Sequence, residues 1–355
     1  MGGFVPPPGG MSVEFMDLTL ETALAVALLG FIGGILSGFL GSGGAFIMTP
    51  GMMNLGVPGI LAVGSNITHK FGKAIVGSRS HGELGHVDKK LAIMMVVGLL
   101  TGVQVAVKVN SQIFESMGRA ASNLYISLIF IIVLTAITAV ILRDLRRAGR
   151  DEERSPELAA KIHRVRIPPV VHFDVAGITV SVWFPLAVAF ATGYLAGTIG
   201  VGGFIGVPAM IYLLGISTRV AAGTELFLAI FSGAWGAINY ALRGYVDLRL
   251  VVLLYLGSLV GVQLGAIATE IVEQRVAKVA LVTVIATSDL GRIVMIPEYL
   301  REMGYIQLEE GVGHLLSMTS TALLFGGALM AIGVIFKKVR EAAAVEKESP
   351  APSYR

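Results

Sequence analysis

The stretch GFLGSGGAFIMTP, residues 38–50, decides the fold because it places a glycine cluster inside an apolar segment that is too long for one membrane crossing. This apolar segment runs from residue 22 to residue 54, whereas one helical crossing needs about 20 residues. Glycine is the weakest ordinary helix former, so a helix is not expected to continue through Gly41–Gly44. The sequence therefore predicts a helix that is broken at membrane depth.

A second stretch, GTIGVGGFIGVP at residues 197–208, repeats this pattern 159 residues further along the chain. The same offset relates GHVD at 85–88 to GYVD at 244–247. Gln104 and Gln263 are related in the same way. One offset that holds over about 70 residues indicates an internal duplication. We therefore predict two homologous repeats, each with a glycine-broken helix.

The composition predicts an all-α polytopic membrane protein. Of the 355 residues, 54% are apolar and only 14% are charged, whereas soluble domains carry about a quarter charged residues. The 45 glycines follow no Gly-X-Y period, which excludes collagen. Outlying glycines such as Gly34 and Gly193 are expected to serve close helix packing. Other apolar segments lie near 59–80, 91–110, 122–142, 178–215, 219–242, 249–269, 275–296 and 311–336.

Several function classes are excluded by simple counts. The chain has no cysteine, and its net charge of +3 is too small and too scattered for nucleic-acid binding. Of the six histidines, only His69 and His314 lie in apolar segments, and no paired acidic or His-x-x-x-His motif accompanies them. We therefore predict no enzyme activity, no catalytic residues, no metal site and no cofactor.

Charged residues predict the topology. Basic residues concentrate in the segment 143–177, which is expected in the cytoplasm, and residues 1–69 contain no Lys or Arg, which favours an external N-terminus. These placements agree if each repeat has an odd number of crossings, so we predict inverted repeats. The predicted boundaries are a flexible tail 1–21, repeat 1 at 22–142, a basic cytoplasmic linker 143–177, repeat 2 at 178–296, an acidic loop 297–310, an additional helix 311–336 and a cytoplasmic tail 337–355.

The candidate substrate site lies at the two breaks. Backbone amides freed by a break need acceptors, which an anion supplies at a helix N-terminus. Asn66, His69 and Lys70 are expected to attract and orient this anion, and Thr224 and Glu225 to complete the far wall. The two glycine clusters that supply the backbone donors consist of Gly41, Ser42, Gly43 and Gly44 in repeat 1 and of Gly200, Val201, Gly202 and Gly203 in repeat 2. Secondary candidates are Lys73, Gln104 and Gln263.

Two acids inside apolar segments have alternative interpretations. Glu225 is either a proton-coupling carboxylate or the ion-pair partner of Lys70, and the ion pair is the preferred interpretation. Asp289 and Arg292 lie one helical turn apart, so we expect them to neutralise each other.

Together these motifs resemble those of the TauE/SafE sulfite exporter family, the 4-toluene sulfonate uptake permease (TSUP) family. The matching features are the two glycine motifs, AVGSNITHKFGKAIVG at 62–77, and GHVD or GYVD before the next span. The resemblance covers residues 23 to 336 and implies a secondary transporter of sulfite or related sulfonates. The SNITHK strip is not the commonest form within this family, so the resemblance assigns no substrate.

The sequence thus favours an inner-membrane transporter that moves a small anion by alternating access between inverted repeats. The alternative is a proton- or cation-coupled transporter of a different small solute, with Glu225 as the coupling acid. The expected partners are a small anionic substrate and the lipid bilayer, and a coupling proton and a homo-oligomer remain open.

Overall fold

The computed structural model describes residues 17–40, 44–147 and 157–348, and these ranges are almost entirely α-helical, which confirms the predicted fold class. A short antiparallel hairpin joins β1 (Val170–Phe173) to β2 (Ile178–Ser181). The helices are α1 (Leu20–Leu40), α2 (Ala45–Asn54), α3 (Gly59–Glu83), α4 (Lys89–Arg147), α5 (Glu157–Arg164), α6 (Trp183–Ile199), α7 (Gly203–Leu214), α8 (Thr218–Ala241), α9 (Leu248–Ile271), α10 (Gln274–Glu302) and α11 (Glu310–Glu348).

Within the described ranges, six helices are long and apolar enough to span a membrane, namely α1, α4, α8, α9, α10 and α11. Many of their large apolar side chains, such as Val97, Leu256 and Leu329, are exposed on the outside of the bundle. Helix α3 has 25 residues but carries polar and charged side chains such as Asn66, His69 and Lys70, and it is not among the six. The chain is therefore a multi-pass membrane protein.

The break that the second glycine cluster predicts is present, and the first cluster lies between two separate described helices. Helix α1 ends at Leu40 and α2 begins at Ala45, and the predicted site residues Gly41, Ser42 and Gly43 lie outside the described residues. Helix α6 ends at Ile199 and α7 begins at Gly203. Gly200, which follows α6, has a φ of 77°, a left-handed conformation that glycine adopts without steric cost.

The remaining helix bounds differ in detail from the apolar segments. Helix α4 joins the segments 91–110 and 122–142 across a kink at Gly118, which has a φ of 82°. Helix α10 continues to Glu302, so the non-helical part of the acidic segment covers only residues 303–309.

The repeats exchange equivalent contacts through their outlying glycines. Gly34 of α1 packs against the backbone of Ser258 and Gly261 in α9, and Gly193 of α6 packs against the backbone of Leu99 in α4. The 159-residue offset relates α1 to α6 and the first half of α4 to α9. The first helix of each repeat therefore packs on the other repeat, and the expected packing role of these glycines is confirmed.

Two hydrogen bonds follow the same reciprocal pattern. The Ser65 hydroxyl on α3 accepts a bond from the Asp247 amide at 3.1 Å, and the Thr224 hydroxyl on α8 accepts one from the Asp88 amide at 3.1 Å. Ser65 and Thr224 are equivalent by the repeat offset, as are Asp88 and Asp247. Elements related by a two-fold axis exchange contacts in this way. These bonds attach α3 to the start of α9 and α8 to the start of α4.

Candidate functional site

The break between α6 and α7 lies beside one buried base and one buried acid. A Cβ atom placed on Gly202 would lie 2.5 Å from Lys70 Nζ of α3 and 3.5 Å from Glu225 Oε1 of α8. A Cβ on Gly206, one turn into α7, would overlap the Glu225 carboxylate. Glycine at these two positions therefore leaves the space that the two charged groups occupy.

Lys70 and Glu225 do not form the ion pair that was preferred from the sequence. Lys70 Nζ and Glu225 Oε2 are both buried and have no hydrogen-bond partner, and no ion pair within 4.0 Å joins the two residues. Lys70 reaches the space beside Gly202 from α3 and Glu225 reaches it from α8, but their charged groups stay beyond ion-pair distance. Neither buried group therefore has a direct hydrogen-bonded partner, although the two opposite charges border the same space beside Gly202.

The backbone carbonyls at the C-terminal end of α6, by contrast, all accept hydrogen bonds. The last four carbonyls of a helix have no partner within the helix, yet each of these accepts a hydrogen bond from another group. The donors are Gly200 N to Ala196 O at 2.9 Å, Tyr240 Oη to Gly197 O at 2.7 Å, Asn110 Nδ2 to Thr198 O at 3.1 Å and Thr49 Oγ1 to Ile199 O at 3.1 Å. No backbone carbonyl at the end of α6 is thus left for a ligand.

The start of α7 presents donors instead. The first amides of a helix have no intrahelical partner, and the bonds at this turn begin with the Ile205 amide, which donates to Gly202 O at 3.0 Å. The positive end of the helix dipole adds to this donor character. The buried Thr192 hydroxyl nearby also has no partner. With Lys70, this end of the break can bind an anion.

The two half-helices meet at this site. The ring of Phe46 on α2 stacks on that of Phe204 on α7, with centroids 4.8 Å apart and an interplanar angle of 23°. Asn66 Nδ2 donates to Thr49 Oγ1 at 2.8 Å, and both side chains contact Gly200. Residues of repeat 1 thus build part of the wall at the break of repeat 2.

Other predicted site residues face different neighbours. His69 Nε2 forms a 2.9 Å hydrogen bond with the Ser258 hydroxyl, and its ring packs on Tyr255 of α9. Thr224 is bonded to the Asp88 amide, as described above. The structure therefore groups Asn66, Lys70 and Glu225 with the second break, whereas His69 and Thr224 form contacts between helices.

The secondary candidates lie apart from these groups in their contacts. The Gln104 side chain accepts a hydrogen bond from Trp235 at 3.0 Å, Gln263 is exposed and Lys73 is half-buried.

Some residues of the site were missed by the sequence interpretation. Thr49, Asn110 and Tyr240 hold the α6 carbonyls, and Thr192 and Gly206 line the space next to Glu225. A polar residue in an apolar segment was the available signal for the first three. Such a residue does not reveal which helix end it faces, because its partners are distant in the sequence.

The expected neutralisation of Asp289 by Arg292 is wrong. Arg292 is completely buried and donates to Asn54 Oδ1 at the end of α2 and to the Ser320 hydroxyl of α11 at 3.0 Å. Asp289 Oδ2 instead accepts from the Thr135 hydroxyl at 2.7 Å. The i,i+3 spacing allows the pair, but stronger contacts from other helices separate the two side chains.

The fold and the site together define a multi-pass helical membrane protein with two broken helices that meet at a buried, donor-rich break. The family model described as sulfite exporter TauE/SafE matches residues 26–290, and the chain belongs to this family. The resemblance noted from the motifs is thereby confirmed.

Similar curated proteins are named as transporters. The probable membrane transporter protein YdhB of Bacillus subtilis (strain 168) is 25% identical over 265 residues, which cover 73% of this chain and 95% of that protein. YjnA of the same strain, also named a probable membrane transporter protein, is 24% identical over 273 residues, with 76% and 100% covered. A probable membrane transporter protein of Xylella fastidiosa (strain 9a5c) is 24% identical over 256 residues, with 70% and 86% covered. No solved structure matches the chain.

Proposed function

We propose that this protein is a secondary transporter that moves a small anion, sulfite or an organosulfonate, across the inner membrane by alternating access between two inverted repeats. The observation that carries the proposal is the imbalance at the second break. Every carbonyl at the end of α6 already has a donor, whereas the first amides of α7 and Lys70 Nζ have no acceptor. An anion supplies the missing acceptors.

The inverted arrangement is supported by the contact between α3 and α8, which are equivalent by the repeat offset. Phe71 lies opposite Gly233 and Ile67 lies opposite Gly236, so the two helices run antiparallel. A two-fold axis that relates antiparallel helices is perpendicular to them, and for membrane-spanning helices it lies in the membrane plane. We accordingly place the N-terminus outside and the segments 143–177 and 337–355 in the cytoplasm.

In this mechanism the break of repeat 2 holds the anion. Lys70 and the amides of Gly202 and Gly203 bind it, while Asn66 and Thr49 hold Gly200 in place. Access from each side of the membrane then alternates as the repeats rock against each other around this fixed site.

The alternative, a proton- or cation-coupled transporter of another solute, is favoured by one observation. Glu225 is buried at membrane depth and its Oε2 atom has no partner, so this carboxyl could bind a proton or a cation. The two functions differ in the residue on which binding depends most. Anion transport requires Lys70, whereas cation coupling requires Glu225.

The test is uptake of labelled sulfite and methanesulfonate by proteoliposomes. We expect wild type to transport at least one of them and Lys70→Met to reduce uptake to the level of empty liposomes. Lys108→Met, which removes an exposed lysine of α4, is the matched control and should retain uptake. The proposal fails if wild type transports neither anion and neither raises its melting temperature.

A further inference from the structure

The anion site contains a carboxylate that an ordinary anion site would not have. The Glu225 carboxyl is buried between α6, α7 and α8, beside Gly206 and Thr192, and its Oε2 atom has no hydrogen-bond partner. Its closest charged neighbour in the site is Lys70, which also has no partner. A ligand bound at Gly202 therefore meets an acid as well as a base.

The two groups require opposite partners. An ammonium group only donates hydrogen bonds, and an ionised carboxylate only accepts them. A simple sulfonate offers acceptors alone, so it can satisfy Lys70 and the α7 amides but not Glu225. A dianion would increase the repulsion from the carboxylate in this buried space. Such ligands therefore leave a buried carboxylate unsatisfied, which is costly.

On the basis of the proposed function, we propose that Glu225 is a specificity-determining residue that selects monovalent oxyanions carrying a hydrogen-bond donor of their own. The anionic oxygens bind Lys70 Nζ and the first amides of α7. The hydroxyl of the ligand donates to the Glu225 carboxylate. One ligand then satisfies the base, the helix end and the acid at once.

Lys70 and Glu225 approach the second break from two sides. Lys70 Nζ and Glu225 Oε1 border the same space beside Gly202, but they are too far apart to pair directly. The two groups themselves occupy the space that the missing side chains of Gly202 and Gly206 leave. The end of the long Lys70 side chain can move, so a small ligand that enters beside Gly202 would contact both groups.

The other repeat indicates that packing does not require an acid here. The residue equivalent to Glu225 is Asn66, an amide that occupies the corresponding place on α3 and donates to Thr49 at 2.8 Å. Both side chains are buried. The exchange of an amide for a carboxylate therefore points to a ligand and not to the packing of α8.

The test compares two ligands of nearly equal size and equal charge. Hydroxymethanesulfonate carries a hydroxyl where ethanesulfonate carries a methyl group, and sulfate serves as a dianion. Dissociation constants are measured by titration calorimetry on the purified full-length protein, at one pH and one ionic strength. We expect wild type to bind hydroxymethanesulfonate about tenfold or more tightly than ethanesulfonate, as for a hydrogen bond to a charged group, and to bind sulfate weakest.

A variant isolates the carboxylate. In Glu225→Gln the preference for hydroxymethanesulfonate should fall to less than about threefold, because the amide can donate to the sulfonate of either ligand. Glu83→Gln, which neutralises an exposed acid at the end of α3, is the control and should retain the wild-type ratio. If Glu225→Gln does not fold, the wild-type ratio alone decides the inference.

The outcomes separate the two proposals. Equal binding of hydroxymethanesulfonate and ethanesulfonate by wild type overturns the selection by Glu225 but leaves anion transport in place. The selection is also overturned if wild type binds sulfate tightly and Glu225→Gln binds it equally well. In that case residue 225 would donate a hydrogen bond to the anion in both proteins, as a protonated carboxyl or as an amide. Failure of all these anions to bind, together with no flux of sulfite or methanesulfonate, overturns the proposed function itself.

Discussion

The half-helices α2 and α7 occupy equivalent places in the two repeats, yet their N-terminal ends are built differently. A Cβ on Gly44, just before α2, would overlap the backbone of Gly33 in α1. A Cβ on Gly202, just before α7, would meet the end of the Lys70 side chain. The first end is closed by backbone packing, and the second borders side chains that a ligand can move. On the proposed function, we therefore expect the ligand at the second break.

The C-terminal ends of the two half-helices also differ. Asn54, the last residue of α2, is bonded to Arg292 of α10, and both contact Ser320 of α11. Leu214 O, at the end of α7, forms a 2.8 Å hydrogen bond with His163 of the short helix α5. A guanidinium group is always charged and makes several bonds. We therefore expect α2 to be fixed to the bundle and α7 to be the more mobile of the two.

The largest expected effect distinguishes the two glycines. Gly44→Ala should abolish the folded protein, because the added methyl group overlaps backbone atoms of α1 that cannot move aside. Gly202→Ala should fold, because the terminal atoms of Lys70 can move, but its anion binding should be weakened. Folded yield on size-exclusion chromatography and the melting temperature measure the difference. A Gly44→Ala variant that is as stable as Gly202→Ala would contradict the comparison.

The second prediction replaces one residue of α3 by its equivalent in α8. We expect a small change in stability and a large loss of anion affinity. Lys70→Ala introduces the residue that repeat 2 has at the equivalent position, Ala229. We expect anion affinity to fall by about a hundredfold or more, as for removal of one member of a buried charge contact. Titration calorimetry with sulfite provides the measurement. An affinity within threefold of wild type would show that Lys70 does not face the ligand.

Removal of Arg292 tests the attachment of α2. Arg292→Met should lower the free energy of unfolding by about 3 kcal/mol, because Asn54 and Ser320 lose a buried donor. Arg292→Lys should recover only part of this loss, since lysine lacks the second donor group of the guanidinium. Thermal unfolding in one detergent compares the variants. If Arg292→Met is as stable as wild type, the contacts of Arg292 do not fix α2 to the bundle.

The smallest effect is expected at the end of α7. His163→Ala removes one hydrogen bond to Leu214 O and should lower the free energy of unfolding by about 1 kcal/mol. His172→Ala, at an exposed position in the hairpin, is the control. Hydrogen exchange of the α7 amides should increase in the first variant and not in the second. If the α7 amides exchange at the same rate in both variants, His163 does not attach the end of α7.

The sequence predicted the breaks well because helix propensity is a local property. A cluster of four residues with three glycines disfavours a helix wherever it occurs. Helix α6 accordingly ends at Ile199, and α7 begins at Gly203. The offset of 159 residues likewise predicted which positions are equivalent. The reciprocal bonds of Ser65 and Thr224 fit that offset.

The partners of the charged residues could not be predicted in this way. Neighbours on a helix point about 100° apart, so the rotation of α3 decides that Lys70 faces Gly202 while His69 faces Ser258 of α9. Spacing also allowed Arg292 to pair with Asp289. Contacts from α2 and α11 direct it elsewhere.

By itself the sequence determined the membrane class, the duplication and the two breaks, since these depend on segment length, composition and glycine content. Only the tertiary structure decided which polar groups at the second break have hydrogen-bond partners and which do not. Tyr240, Asn110 and Thr49 come from three different helices to satisfy the end of α6. The start of α7 keeps its donors, and Lys70 and Glu225 stay unpaired, because the helices hold them apart. Whether a polar group is free depends on distances between helices, and these are not encoded in local spacing.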